Sequence, residues 1–212
     1  MIFFMGISPE MTERNTVVVV VKRYLKNIKK HYEPVKIIPI PLSMADPSLG
    51  HEIARLYQDN QFILNKKIFS QDRRPTKMVR AHPKLIMNRN PGDTSVKSLR
   101  LSSIPVDGIL PVGGNDPWIK HPHGKALGDD YDVPLKDLFE TLMEVHEQKR
   151  LVLTGDVRTM VIQIEKLKET FTKNKEKPGA FPEDFEASDV LTALALPLWF
   201  NEKIPYQRAY KA

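Results

Sequence analysis

The chain has 212 residues, no cysteine, and 32 Lys and Arg against 26 Asp and Glu, a length that suits one domain with a full core. The missing cysteine excludes disulfides, thiolate metal sites, zinc-finger modules and cysteine nucleophiles. A hydrophobic share of 41% and a charged share of 27% exclude a disordered chain as the expectation.

The opening Met1 to Ile7 is apolar but too short for a signal peptide or a membrane span. Residues 1–14 are therefore expected to be a flexible or docking segment, with a core strand as the plain alternative. Five consecutive valines, Val17 to Val21, predict a strand buried on both faces. It runs into Lys22, Arg23 and Lys26, then Lys29 and Lys30. Ile37, Ile38 and Ile40 predict a second strand, which Pro39 and Pro41 confine to a sheet edge because proline cannot donate to the ladder. Asp46-Pro47 reads as a helix start with Asp46 as N-cap, placing Leu49, Ile53, Leu56 and Tyr57 on one face. Strands are predicted over Gln61 to Phe69 and Met78 to Met87, the second broken at His82-Pro83. Asn90-Pro91-Gly92-Asp93 is a turn. Leu99 and Leu101 alternate with polar neighbours, as in a half-buried strand.

Residues 103–134 read as a long irregular loop, rich in Gly and Pro; loops of that length are uncommon and often functional. Trp118 and Ile119 are expected to pack on the domain. Pro134 opens a helix with Leu135, Leu138, Phe139, Leu142 and Val145 on one face, and Leu151 to Leu153 reads as a short strand. A second helix follows Thr154-Gly155-Asp156, with Met160, Val161, Ile164, Leu167 and Phe171 at helical spacing. Ser188 caps a third, kinked or ended near Pro197. The expected class is α+β: a mixed or antiparallel sheet over 15–112 packed with a helical part over 134–200, in one domain spanning 15–200, with a C-terminal tail over 201–212.

The charge is uneven. Residues 1–100 hold 18 Lys and Arg against 8 Asp and Glu, whereas residues 101–212 hold 14 against 18. Ten cations, Lys66, Lys67, Arg73, Arg74, Lys77, Arg80, Lys84, Arg89, Lys97 and Arg100, face only Asp72 and Asp93 within residues 66–100. Apolar residues interleave with them, so they are expected on strands and turns, as an ordered platform for nucleic acid or an anionic membrane surface. The segment past Phe69 has no aromatic residue on which a base could stack, which favours contact with phosphates or lipid headgroups over base reading.

No catalytic fingerprint is present. Gly113-Gly114-Asn115 lacks the Lys-Ser/Thr of a phosphate loop, and no Gly-x-Ser-x-Gly elbow occurs. His121-Pro122-His123, followed by Asp129, Asp130 and Asp132, is the one pattern with metal-ligand character, for which a metal-dependent hydrolase is the alternative function. The leading expectation is a non-enzymatic structural or assembly protein, with the profile of a viral matrix protein or a ribonucleoprotein subunit. It would bind RNA, DNA or acidic lipid through its basic face and protein partners or its own copies elsewhere, with no cofactor. A protein–protein adaptor is the third class. An intracellular, reducing compartment, cytoplasm or nucleus, is expected.

Overall fold

In a computed structural model, the valine run forms the strand next to one edge of a seven-stranded sheet. Residues 1–9, 15–43, 46–69, 75–89, 95–114, 116–122, 127–154, 158–174 and 188–204 are described, with only the backbone of 66–69, 75–78, 158–159 and 170–174. The strands are β1 (Ile2–Pro9), β2 (Thr16–Lys26), β3 (Lys29–Ile40), β4 (Leu64–Phe69), β5 (Pro75–Ala81), β6 (Lys84–Asn88), β7 (Val106–Val112), β8 (Ile119–His121) and β9 (Asp130–Pro134). The helices are α1 (Leu49–Tyr57), α2 (Ser95–Leu101), α3 (Leu135–Glu147), α4 (Arg158–Asn174) and α5 (Asp189–Lys203). The large sheet has the order β3-β2-β1-β6-β7-β9-β8, and β4 and β5 form a separate two-stranded sheet. β1, β6, β7 and β9 are parallel, while β2, β3 and β8 pair antiparallel with their neighbours. The α+β class is as the sequence implies.

Both faces of the sheet are covered, which is why the valines do not alternate with polar residues. Phe4, Val19, Val21, Ile86, Ile109 and Tyr131 pack under α3, α4 and α5. Met5, Ile7, Val18, Val20, Leu85 and Met87 pack under α1 and α2. α5 is buried from Leu191 to Asn201, as expected of a helix apolar all round. It lies so close to β1 that a Cβ on Gly6 would collide with the Ala193 carbonyl oxygen and stand 2.7 Å from Pro197 Cδ. Pro197 has no N–H to offer that carbonyl. The helix nevertheless runs on through it, and Asn201 Nδ2 donates to the Pro197 carbonyl at 2.7 Å.

Several expectations need correction. The opening residues are no loose segment: β1 is central, and Phe4, Met5 and Ile7 are fully buried. Residues 10–14 lie outside the described residues. Leu99 and Leu101 sit on a helix, α2, not a strand; Val96 and Leu99, three apart, face the core while Leu101 is 78% exposed. The supposed loop of 103–134 contains β7, β8 and β9, so the sheet extends to Pro134. Gly108 reads as a breaker but serves close approach, since a Cβ there would meet Asp130 Oδ1 at 2.5 Å. Asp46 accepts from the Ser48 N–H at 2.9 Å in a turn, and α1 opens at Leu49 with Ser48, not Asp46, at its N-cap. On α4, Met160, Ile164 and Leu167 are buried as their spacing implies, but Val161 turns partly outward. α5 passes Pro197 and reaches Lys203, so the tail begins later than 201; residues 205–212 lie outside the described residues.

Candidate polyanion-binding surface

The ten cations of residues 66–100 do not share one fate. Lys84 Nζ reaches Asp107 Oδ2 at 2.7 Å and also sits 4.5 Å from the Phe200 ring centre. Arg100 donates to Asp130 Oδ1 at 2.6 Å and to the carbonyls of Val106 and Leu127. Arg89 pairs with the other oxygen of Asp130. Asp107 and Asp130 are nearly fully buried. A buried carboxylate is tolerated only when paired and hydrogen-bonded, so these three cations are committed to stapling β6, α2, β7 and β9 together. Lys84 and Arg100, expected to face a ligand, are paired with carboxylates of the fold itself.

Arg80 is different. It is exposed on β5, and its guanidinium meets the uncharged Asn60 side chain. Lys97 is exposed on α2 with no described partner. Lys66 and Lys67 lie on β4 and Lys77 on β5, with Lys66 opposite Val79, Lys67 opposite Met78, and Ile68 opposite Lys77. Arg73 and Arg74 fall outside the described residues. The β4–β5 ribbon pairs with no described strand of the large sheet. Over residues 64–81 it holds six cations and one anion, Asp72.

A second basic ribbon escaped the sequence-based expectation. Residues 22–31 hold five Lys and Arg and no acid, a signal that was legible in the sequence. β2 and β3 continue pairing through Tyr24–His31, Leu25–Lys30 and Lys26–Lys29, beyond Arg23, the last partner of β1. This hairpin therefore projects past the amino end of β1. The base of β4–β5 is at the same end, because the Phe62 ring lies 6.1 Å from that of Phe3 and Lys84, just after β5, is in register with Phe4. The bases of two basic β-ribbons thus lie at the same end of the sheet.

The base of the β2–β3 hairpin is held firmly. Lys22 pairs with Glu33 at 2.9 Å, and Arg23 donates to Asn201 Oδ1 at 2.9 Å. Lys30 donates to the Asn201 carbonyl, and Tyr32 donates to Glu202. Arg150, itself buried, holds both Glu202 oxygens at 2.9 and 3.2 Å. Burial opposes the charge on Glu202, but hydrogen bonds from Arg150 and Tyr32 outweigh it and hold the carboxyl below its ordinary range.

The His121 and Asp129 pattern does not converge. His121 Nε2 lies 2.8 Å from Asp132 Oδ2, Asp129 pairs with Lys120 at 2.6 Å, and Asp130 is taken by the two arginines. His123 is outside the described residues. Among the described residues no group of three or more His, Asp or Glu is placed to hold a metal, and no helix is long and apolar enough to cross a membrane.

Open α/β sheets receive ligands at the carboxyl ends of their parallel strands. There Ser8 Oγ donates to Asp189 Oδ1, at the start of α5, at 2.8 Å. Ile7 is in register with Met87, which brings Ser8 level with Asn88, whose Oδ1 is buried without a hydrogen-bond partner among the described residues. No family model matches this chain, and no curated protein or solved structure matches it either.

Proposed function

We propose that this chain is a non-enzymatic structural or assembly protein that grips the phosphate backbone of a nucleic-acid duplex with its β4–β5 ribbon. The observation that carries the reading is the ribbon's independence: it pairs with no described strand outside itself and holds six cations against one anion over residues 64–81. Arg80, the one cation of the ribbon whose side chain is described, meets no described carboxylate. A two-stranded ribbon has the width of a duplex major groove, and lysines and arginines on it would release counterions from the phosphates. The cations paired within the fold, Lys84, Arg89 and Arg100, take no part.

The experiment is a salt titration of binding to duplex DNA, duplex RNA and anionic vesicles. Replacing Lys67, Lys77 and Arg80 by Glu is expected to weaken duplex binding. On DNA it should flatten the log K against log salt slope by about 0.9 for each phosphate no longer neutralised. The same charge change at Lys149, Lys166 and Lys168, all exposed and far from the ribbon in sequence, is expected to have a much smaller effect. Equal effects from the two sets would reduce the ribbon to a share of net charge. Binding to vesicles alone would make the partner a membrane.

A second reading is favoured by Asn88. Its buried oxygen, level with Ser8 and without a partner among the described residues, suits a ligand that donates a hydrogen bond, or a hard cation. A thermal shift on adding Mg2+ that disappears in Asn88→Leu would support it; the same melting temperature with and without the ion would remove the cation form of it.

A further inference from the structure

The tip of the β2–β3 hairpin carries a strained and conspicuously apolar residue. Lys26 pairs with Lys29 across a two-residue turn, Asn27-Ile28, with φ of 52° and 68°. Such turns require the left-handed region at both positions, which suits Asn and Gly. A β-branched residue there is a true outlier. Ile28 is also 96% exposed, and Leu25 is 68% exposed. Nothing in the described fold rewards either side chain. Strain that the fold does not need is a feature of sites that act on something else.

The setting is anchored and cationic. Tyr24 and His31 stack at 5.7 Å just behind the tip, and Arg23 and Lys30 anchor the hairpin to the end of α5. Lys26 and Lys29 flank Ile28 and have no described carboxylate partner. An aliphatic side chain held out between two lysines has the form of a wedge: the lysines meet phosphates while the side chain enters between two bases and unstacks them. We propose that Ile28, backed by Leu25, is such a wedge and kinks the duplex that the chain binds. The inference deepens the nucleic-acid reading above and rests on it.

Charge complementarity selects this occupant. An acidic protein surface would pair with the lysines but offers Ile28 no reason for strain. A bilayer would take the aliphatic pair, yet two side chains bury less than a single myristoyl chain, whose hold on a membrane is itself marginal. An opened base step matches one or two aliphatic side chains in size.

The test uses the full chain and a duplex with 2-aminopurine at a flexible TA step and a fluorophore pair at its ends. The unaltered protein is expected to raise 2-aminopurine fluorescence several-fold and to shorten the end-to-end distance, by a bend of about 20–90°. Ile28→Gly suits the left-handed turn better than Ile28 does, so it should fold at least as well, verified by its melting curve. It should still bind in a salt-dependent way while losing the fluorescence rise and the bend. Ile28→Asn serves as a second variant with the same expectation. Duplex binding without unstacking or bending by the unaltered protein would overturn the wedge and leave the ribbon reading standing. No duplex binding at low salt would overturn both. Ile28-dependent binding to phosphatidylcholine–phosphatidylserine vesicles in place of duplex would overturn the wedge in favour of a membrane.

Discussion

At the scale of the residue, Gly6 illustrates how one position governs a packing distance. It lies in the middle of a central strand, and the Ala193 carbonyl of α5 occupies the space its Cβ would need. Both obstacles there are stiff, a helix backbone and a proline ring, so neither can swing away. Gly6→Ala is therefore expected to cost at least about 3 kcal/mol, at the upper end of overpacking effects, read as a lowered denaturation midpoint. A change below about 1 kcal/mol would show that α5 slides freely on the sheet. The glycine was visible in the sequence, but its distant neighbour Ala193 was not. Asp130 teaches the same lesson for charge. Read along the chain it belongs to a run of aspartates beside His121 and His123; in space it is the anchor of Arg89 and Arg100.

At the scale of the element, local pattern succeeded where a run was long enough to show its period and failed where the element was short or carried strand-breaking residues. α3 buries Leu138, Phe139, Leu142 and Val145, as their spacing implies. α2 is too short for its residues to distinguish a period of two from one of 3.6, and its Ser-Leu alternation reads as strand. β7 contains Gly108 and Pro111, both strand-breaking by propensity. Gly108 is needed for the approach of Asp130, and Pro111 lies past Ile109, where the pairing with β6 ends. The β4–β5 ribbon is an element apart. Leu64 faces Ala81 at its base, and neither strand joins the large sheet. Replacing residues 64–81 by a short Gly-Ser linker is therefore expected to leave the main fold intact, with an unchanged far-ultraviolet profile apart from the lost ribbon. The same variant should lose most of its duplex affinity. Global unfolding of this variant would show that the ribbon supports the core.

At the scale of the molecule, α5 is tied to the sheet at both ends, by Ser8 and Asp189 at its start and by Arg23, Lys30, Tyr32 and Arg150 at its end. Glu202 makes this clamp sensitive to acid. Its folded-state pKa is depressed, so its contribution is present above the unfolded carboxylate value of about 4.3 and is lost as pH falls through the folded value. Stability is expected to drop as the pH falls below that ordinary carboxylate value. Glu202→Gln should shrink that drop while lowering stability at neutral pH, since it leaves the buried Arg150 without its counterion. An identical acid limb in the variant would assign the pH dependence to other carboxylates.

The amino-acid sequence by itself determined the α+β class, the doubly buried valine strand, the edge position of β3, most of the core faces of α3 and α4, and the basic character of the first half, because each of these follows from neighbours within a few positions. Only the tertiary structure decided which cations are occupied and which remain available. Asp107 and Asp130 reach back across tens of positions to neutralise Lys84, Arg89 and Arg100, whereas Arg80, Lys26 and Lys29, on the two ribbons, meet no such carboxylate among the described residues. Pairing of charges is set by distance in space, and a chain of residue types carries no record of it.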